Sequence, residues 1–95
     1  MNLVNWNKEL DQFSVHLEGE HYAIVKYKRQ DKVLHITSTR VPDQVQGKGY
    51  GKVMMEAVLP IIEKEGFTIV PVCSYVVHFL NRSTQWSHLL ADKGE

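Results

Sequence analysis

A glycine-rich stretch between two different hydrophobic patterns constrains this 95-residue sequence most. Residues 46–52 read Gln-Gly-Lys-Gly-Tyr-Gly-Lys. Before them, apolar and polar residues alternate as in β-strands. After them, apolar residues follow the spacing of one helical face, at positions 50, 53, 54, 57, 58, 61 and 62. The glycines therefore lie where a strand leads into a helix, and a helix start offers unpaired N–H groups to an anion such as phosphate.

Two common phosphate-binding motifs do not fit this stretch. A P-loop requires a hydroxyl residue after its Gly-Lys pair, but Gly51-Lys52 is followed by Val53. A dinucleotide-binding fingerprint requires a third glycine at the position of Lys52. The plain alternative is a glycine-rich loop that only begins a helix and binds nothing.

The stretch from Gln46 to Gly51 resembles the Q/R-x-x-G-x-G/A pyrophosphate loop of the GNAT acetyltransferase superfamily, which binds acetyl-CoA. Val41-Pro42 precedes it, an amphipathic helix follows it, and Val70-Pro71-Val72-Cys73-Ser74-Tyr75 comes next. With these features the resemblance extends from about residue 15 to residue 88. Together these features resemble the compact single-domain GNAT-like proteins of the YjdJ type.

This resemblance implies a binding site for acetyl-CoA or CoA. Backbone N–H groups of residues 46–51 would hold the pyrophosphate, two lysines would approach the phosphates from the solvent side, and the backbone near the end of the third strand would polarise the thioester carbonyl. The candidate cofactor-binding residues are Val41, Gln46, Gly47, Lys48, Gly49, Tyr50, Gly51 and Lys52.

The general base and general acid of many acetyltransferases are not identifiable in this sequence. The resemblance leads us to expect a glutamate near the third strand, but no acid lies between His35 and Pro42, and Asp43 is typical of a turn. A tyrosine that protonates the leaving CoA thiolate is expected after the fourth strand, where Leu80 stands.

Cys73 is the candidate catalytic residue. It ends the predicted fourth strand, next to the expected thioester, where its thiol could accept an acetyl group or form a mixed disulfide with CoA. This reactivity requires a lowered pKa, which the N–H groups of a helix beginning at Ser74 could supply. The alternative interpretation is a buried, inert cysteine.

The pattern predicts a single α/β (α+β) domain over residues 1–95, a truncated GNAT-like fold. We expect an antiparallel three-strand meander, a helix, a fourth strand parallel to the third, and two C-terminal helices. Residues 1–12 are interpreted as a mobile lead-in or a docked segment, and residues 91–95 as a flexible tail. The predicted elements are strands near 13–18, at 22–28 and at 33–41, a helix at 47–65 bent at Pro60, a strand at 67–72, and helices after Ser74 and after Ser83 or Thr84.

Composition excludes several classes of protein. Eleven basic residues balance eleven acidic ones, so we expect no nucleic-acid or membrane-surface binding. No apolar run approaches a membrane span, and Met1–Trp6 lacks the features of a signal peptide. A single cysteine indicates the cytoplasm, and the five histidines show no metal-ligand spacing.

These observations predict an acetyl-CoA-dependent N-acetyltransferase that acetylates an unidentified amine, on a small molecule or a protein, or its own Cys73. The alternative is a non-catalytic module that responds to CoA and acts through a protein partner. A third interpretation is a structural domain without a ligand. We expect a monomer or a weak homodimer.

Overall fold

The fold is a five-stranded sheet with two α-helices, seen in a computed structural model that describes residues 3–91. The strands run in sequence order across the sheet; β1 to β4 are antiparallel and β5 is parallel to β4. The elements are β1 (Val4–Asn7), β2 (Gln12–Glu18), β3 (His21–Gln30), β4 (Val33–Arg40), α1 (Tyr50–Lys64), β5 (Thr68–Pro71) and α2 (Ser74–Arg82), with 3-10 turns at Asp43–Val45 and Ser87–Leu89. The predicted meander, crossover helix and parallel strand are confirmed.

The core lies between one face of the sheet and the helices. Alternate residues of the strands point to that face, because side chains along a strand alternate between the two faces. Helix α1 presents its apolar stripe to the same layer. The most completely buried residues are Phe13, Val15, Ala23, Val25, Leu34, Ile36 and Ile69 from the sheet, Met55, Val58, Leu59 and Ile62 from α1, and Val76 and Leu80 from α2. The other face of the sheet carries polar and partly exposed residues.

Strand β1 lies inside the segment that the sequence suggested as a lead-in. It pairs with β2, with Trp6 opposite Phe13, and the Trp6 Nε1–H donates a hydrogen bond of 2.7 Å to the Tyr27 hydroxyl. The Trp6 ring also contacts Phe13 at 4.9 Å between ring centroids. Residues 4–7 are therefore docked against the sheet rather than a mobile extension.

Helix α1 begins three residues later than expected. Gly49 is its N-cap, with φ of 79°, and Gly47 also has a positive φ, so residues 47–49 form a turn before the helix. The helix is continuous through Pro60 and ends at Lys64, followed by Gly66 in a left-handed conformation.

The C-terminal part contains less helix than expected. The first predicted C-terminal helix is α2, whereas the second is a 3-10 turn at Ser87–Leu89. Ser83 does accept a hydrogen bond from the Trp86 N–H. Beyond it, the chain returns to β5, where the Ala91 N–H donates to the Ile69 carbonyl at 2.8 Å. The remainder of the predicted tail, residues 92–95, lies outside the described residues.

Candidate active site

Strands β4 and β5 separate part-way along their length. Their pairing ends with Ile36 opposite Pro71, and the Ile36 carbonyl accepts the N–H groups of both Val72 and Cys73, at 3.0 and 2.9 Å. Strand β4 continues to Arg40, paired only with β3. An extra residue in β4 at this point shifts its register against β3, and such bulges bend a strand. The result is a gap between the end of β4 and the start of α2.

Cys73 lies at this gap as the N-cap residue of α2. Its Sγ is 3.4 Å from the Thr39 hydroxyl oxygen across the gap. Partial burial raises the pKa of the thiol, but hydrogen bonds from the Thr39 hydroxyl and from the N–H groups of Val76, Tyr75 and Thr39 outweigh it, so the pKa falls below its ordinary value. The Thr39 hydroxyl makes the largest of these hydrogen-bond contributions, and the N–H groups at the start of α2 add to it.

The glycine loop leaves open space at the start of α1. Gly47 and Gly49 have φ of 84° and 79°, and no atom lies within 4 Å of the position that a Cβ would take on either. Their role is therefore conformational, and the space beside the helix start is free for an approaching group. No side chain caps the N-terminus of α1. Unpaired N–H groups and the helix dipole make this a suitable place for a phosphate.

Gln46 connects this loop to the end of β4. Its side-chain amide donates to the Val41 carbonyl at 2.9 Å, and its backbone N–H donates to the Asp43 carbonyl. The backbone N–H of Gln46 is thus engaged within the protein. Among the described residues, the N–H groups of residues 47–52 donate none of the hydrogen bonds of the loop or the helix cap.

Lys48 and Tyr50 both contact Glu18 at the end of β2. The Tyr50 hydroxyl donates to a Glu18 carboxylate oxygen at 2.6 Å, and Lys48 Nζ lies 3.2 Å from the same oxygen. The hydrogen bond from Tyr50, followed by that from Lys48, lowers the pKa of Glu18, and the same Glu18 contact raises the pKa of Tyr50. Lys48 is therefore paired with a carboxylate at the edge of the loop, and its side chain remains 52% exposed on the solvent side.

Gly51 and Lys52 face α2. The Tyr75 hydroxyl oxygen would be 2.7 Å from a Cβ on Gly51, so a larger residue at this position would require the Tyr75 side chain to move. Burial raises the pKa of Tyr75. Lys52 lines an open cleft of about 560 Å³ between α1, α2 and the following loop, with the His78, Arg82 and Trp86 side chains on its other walls.

His35 and Leu80 are two other positions named from the sequence. His35 is in β4, opposite Lys28 and Val70, on the face of the sheet that the helices do not cover. Leu80 is fully buried in the core. No group of three His, Cys, Asp or Glu residues within 3–91 is arranged to bind a metal.

The predicted residues thus form two neighbouring groups. Residues 46–52 surround the start of α1, with Val41 joined to them through Gln46, while Cys73 lies across the β4–β5 gap. Sequence reasoning missed three contributors: Thr39, Glu18 and the contact of Tyr75 with Gly51. Simple alternation in β4 places Thr39 on the face opposite Ile36. Only the bulge, which the alternation does not reveal, brings Thr39 to the buried face.

Comparison with known families decides which proteins this arrangement resembles. A family model for GCN5-related N-acetyl-transferase matches residues 12–89. The chain belongs to the GCN5-related N-acetyltransferase family. This is the GNAT superfamily that the glycine loop resembles, and its members generally use acetyl-CoA.

A solved structure supports the fold of this family member. The chain is similar to a GCN5-like protein from Staphylococcus aureus, whose structure was determined by NMR in solution, with a TM-score of 0.69. The match covers 98% of this chain and 93% of that protein at 18% identity, so it shows the fold alone. No curated protein sequence matches this chain. Among residues 3–91, no helix is long and apolar enough to cross a membrane.

Proposed function

We propose that this GNAT protein binds acetyl-CoA at the start of α1 and transfers its acetyl group through the gap between β4 and β5. The observation that carries the proposal is the position of the Cys73 thiol, 3.4 Å from Thr39 across that gap, beside a glycine loop open to an anion. Acetyl-CoA would supply an acyl group activated as a thioester.

The pyrophosphate would be held mainly by backbone groups. Gly47 and Gly49 leave the space that a phosphate needs, and the N–H groups of the first turn of α1 point toward it. Lys52 is exposed at the start of α1 and free to approach a phosphate. Lys48 would add a second charge if its Nζ moved from Glu18 to the ligand.

Cys73 is the proposed nucleophile. Its thiolate would attack the thioester carbonyl carbon, forming a new C–S bond while the bond to the CoA sulfur breaks, and the CoA thiolate would leave and take a proton from solvent. An amine would then attack the acetyl-cysteine carbonyl, lose its proton to solvent and regenerate the Cys73 thiolate. The reaction requires reduced Cys73, which the cytoplasm maintains.

Backbone N–H groups at the end of β4 would stabilise the negative charge on the carbonyl oxygen. The Thr39 N–H is already directed at Cys73. Val41 follows two residues later. Since an extended chain repeats every two residues, the backbone N–H of Val41 would point to the same side as the N–H of Thr39. Donors fixed in this way strengthen their interaction as charge develops.

The deciding experiment combines intact mass and amide chemical shifts. The protein is incubated with acetyl-CoA, and its mass is measured with and without reductant, while NMR follows residues 46–52. We expect shifts in this loop and a mass gain of one acetyl group that Cys73→Ala abolishes. Cys73→Ser is a second variant, since it preserves the size of the side chain. Unchanged loop shifts at saturating acetyl-CoA would contradict the proposal.

The competing function is a CoA-responsive module without turnover. It is favoured by the end of β4, which contains Ser38 and Arg40 but no carboxylate that could act as a general base. Loop shifts without a mass gain, and without acetylation of any added amine, would support this module over the transferase.

A further inference from the structure

The strands of this protein carry an uneven distribution of charge. The whole chain has no net charge, yet the five strands contain four cationic residues and a single carboxylate, Glu18. Lys48 and Tyr50 already bind that carboxylate at the end of the sheet. The sheet is therefore basic in a protein whose remaining segments are acidic.

Three of the four cations lie on the face of the sheet opposite α1. Lys26 and Lys28 alternate with the buried residues of β3, and Arg40 is directly opposite Ile24, which shares their face. All three are exposed, and within the described range none of their side chains has a hydrogen bond or an ion pair to another residue. The fourth, Arg29, is engaged elsewhere: its guanidinium lies over the Phe67 ring.

Two shallow depressions, one on either side of the bulge in β4, are lined by these cations. The first, of about 530 Å³, is lined by Lys26, Ser38 and Arg40 among others. The second, of about 520 Å³, includes Lys28 and Val72. We call the surface made by both depressions the basic sheet face. It combines positive charge with an exposed apolar side chain, since Val72 is 58% exposed.

The basic sheet face borders the gap where acetyl transfer is proposed. Thr39 points to the helix side of β4 and contacts Cys73, whereas Ser38 and Arg40 belong to the opposite side. Val72 immediately precedes Cys73. A group that entered the gap from the open face of the sheet would pass between these residues on its way to the thiol.

We infer that the basic sheet face docks an acidic polypeptide segment, whose amine is delivered to the β4–β5 gap. This inference rests on the proposed function for the delivery step and on charge complementarity for the docking. Carboxylates would pair with Lys26, Lys28 and Arg40, while an apolar side chain of the peptide would cover Val72. An N-acetyltransferase needs an acceptor amine, and a peptide carries both that amine and the carboxylates.

Other occupants fit this surface less well. A second copy of this chain would bring the same three cations against one another, which like-charge repulsion opposes. A nucleic acid is bound mainly by neutralising its phosphates, and a chain without net charge supplies little long-range attraction for it.

A binding titration tests the docking without acetyl-CoA. The probe is a short peptide of alternating Glu and Ser with one Lys, labelled with fluorescein at its C-terminus and followed by anisotropy at low salt. We expect Lys26→Glu and Arg40→Glu each to weaken binding about fivefold, because each removes an attraction of about 1 kcal/mol. Lys64→Glu, at an exposed position on α1, makes the same charge change away from the face and is expected to bind as the wild type does.

Three results would overturn the inference. They are no binding of the Glu peptide, equal binding of a peptide with Gln in place of Glu, and tighter binding of single-stranded oligothymidine with the same dependence on Lys26 and Arg40. Acetyl-CoA is absent, so failure here is separate from failure of the loop shifts in residues 46–52. Peptide binding followed by no acetylation of its Lys in the presence of acetyl-CoA would overturn the delivery step.

Discussion

The Tyr75 hydroxyl oxygen lies 2.7 Å from the position that a Cβ would take on Gly51. The Tyr75 side chain of α2 therefore occupies space at the first turn of α1 that a side chain at position 51 would otherwise take. This contact connects the proposed pyrophosphate loop to the helix that begins at Cys73.

Gly51→Ala should stabilise the protein less when Tyr75 is present. In the wild type, the partly exposed end of the Tyr75 side chain must move to make room for the methyl group, which offsets the better helix propensity of Ala, so we expect little change in the free energy of unfolding. In a Tyr75→Ala background the clash is absent, and the same change should stabilise by about 0.5 kcal/mol. Urea unfolding of the four proteins measures both values; equal effects in both backgrounds would show that the contact imposes no constraint.

Gly49→Ala should reduce both stability and ligand binding. Its φ of 79° is unfavourable for Ala, at a cost of about 1–2 kcal/mol. Gly66→Ala is the matched control, since Gly66 has a φ of 83° at the other end of α1. Urea unfolding should show similar losses for both variants, whereas calorimetry with acetyl-CoA should show weaker binding only for Gly49→Ala. Equal affinities of the two variants would argue against a phosphate at this loop.

Thr39→Val should make the Cys73 thiol less reactive near neutral pH. The Thr39 hydroxyl is one of the groups that lower the thiol pKa, so its removal should shift the pH–rate profile of iodoacetamide alkylation upward. In the wild type, the midpoint should lie below the ordinary value of 9.0. Thr37→Val, which alters a hydroxyl bonded to Lys26 instead, should leave the profile unchanged.

Glu18→Gln should lower the Kd for CoA. The Glu18 carboxylate holds Lys48 at 3.2 Å and adds negative charge beside the loop, so its neutralisation releases the lysine and removes a repulsion. Glu20→Gln makes the same charge change at an exposed position nearby and serves as the control in the titration. A weaker affinity in Glu18→Gln would mean that the carboxylate supports the loop rather than competing with the ligand.

The Glu18 contact also predicts a dependence on pH. Since hydrogen bonds from Tyr50 and Lys48 lower the carboxyl pKa below 4.5, the stabilisation they give is complete above that value. It is lost as the pH falls through the lower pKa of the folded state. An NMR titration of the Glu18 side-chain carbon should show the low midpoint, and Tyr50→Phe should raise it toward 4.5. A midpoint unaffected by Tyr50→Phe would exclude the tyrosine as the main cause.

The sequence predicted the elements whose residue pattern is recognisable over a short stretch of chain. Alternation in β2, β3 and β4, the helical spacing of α1 and the glycines before it are all visible over a few residues. Strand β1 is different: Val-Asn-Trp-Asn is short and half polar, and its strand conformation depends on pairing with β2 and on the hydrogen bond of Trp6 to Tyr27, 21 residues away.

The side-chain contacts of the candidate site were equally dependent on distant residues. Lys48 meets Glu18 across 30 residues, and Thr39 meets Cys73 across 34. The sequence located the glycines and the cysteine because their types and positions are distinctive. It could not reveal that Lys48 is paired with a carboxylate, because that pairing depends on the C-terminal ends of β2 and β4 lying at the same end of the sheet.

The sequential order of the strands has a consequence for how the site forms. Strands β1 to β4 join neighbours through short hairpins, whereas β5 reaches β4 only after the chain has passed through α1. Closing short loops costs less entropy, so the meander should assemble first and the parallel pair last. The gap that holds Cys73 is then the last part to form and the first to open. We therefore expect amide hydrogens of β5 and α2 to exchange with solvent faster than those of β2 and β3. A ligand bound at the gap should slow the exchange of β5 and α2, because it opposes this local opening.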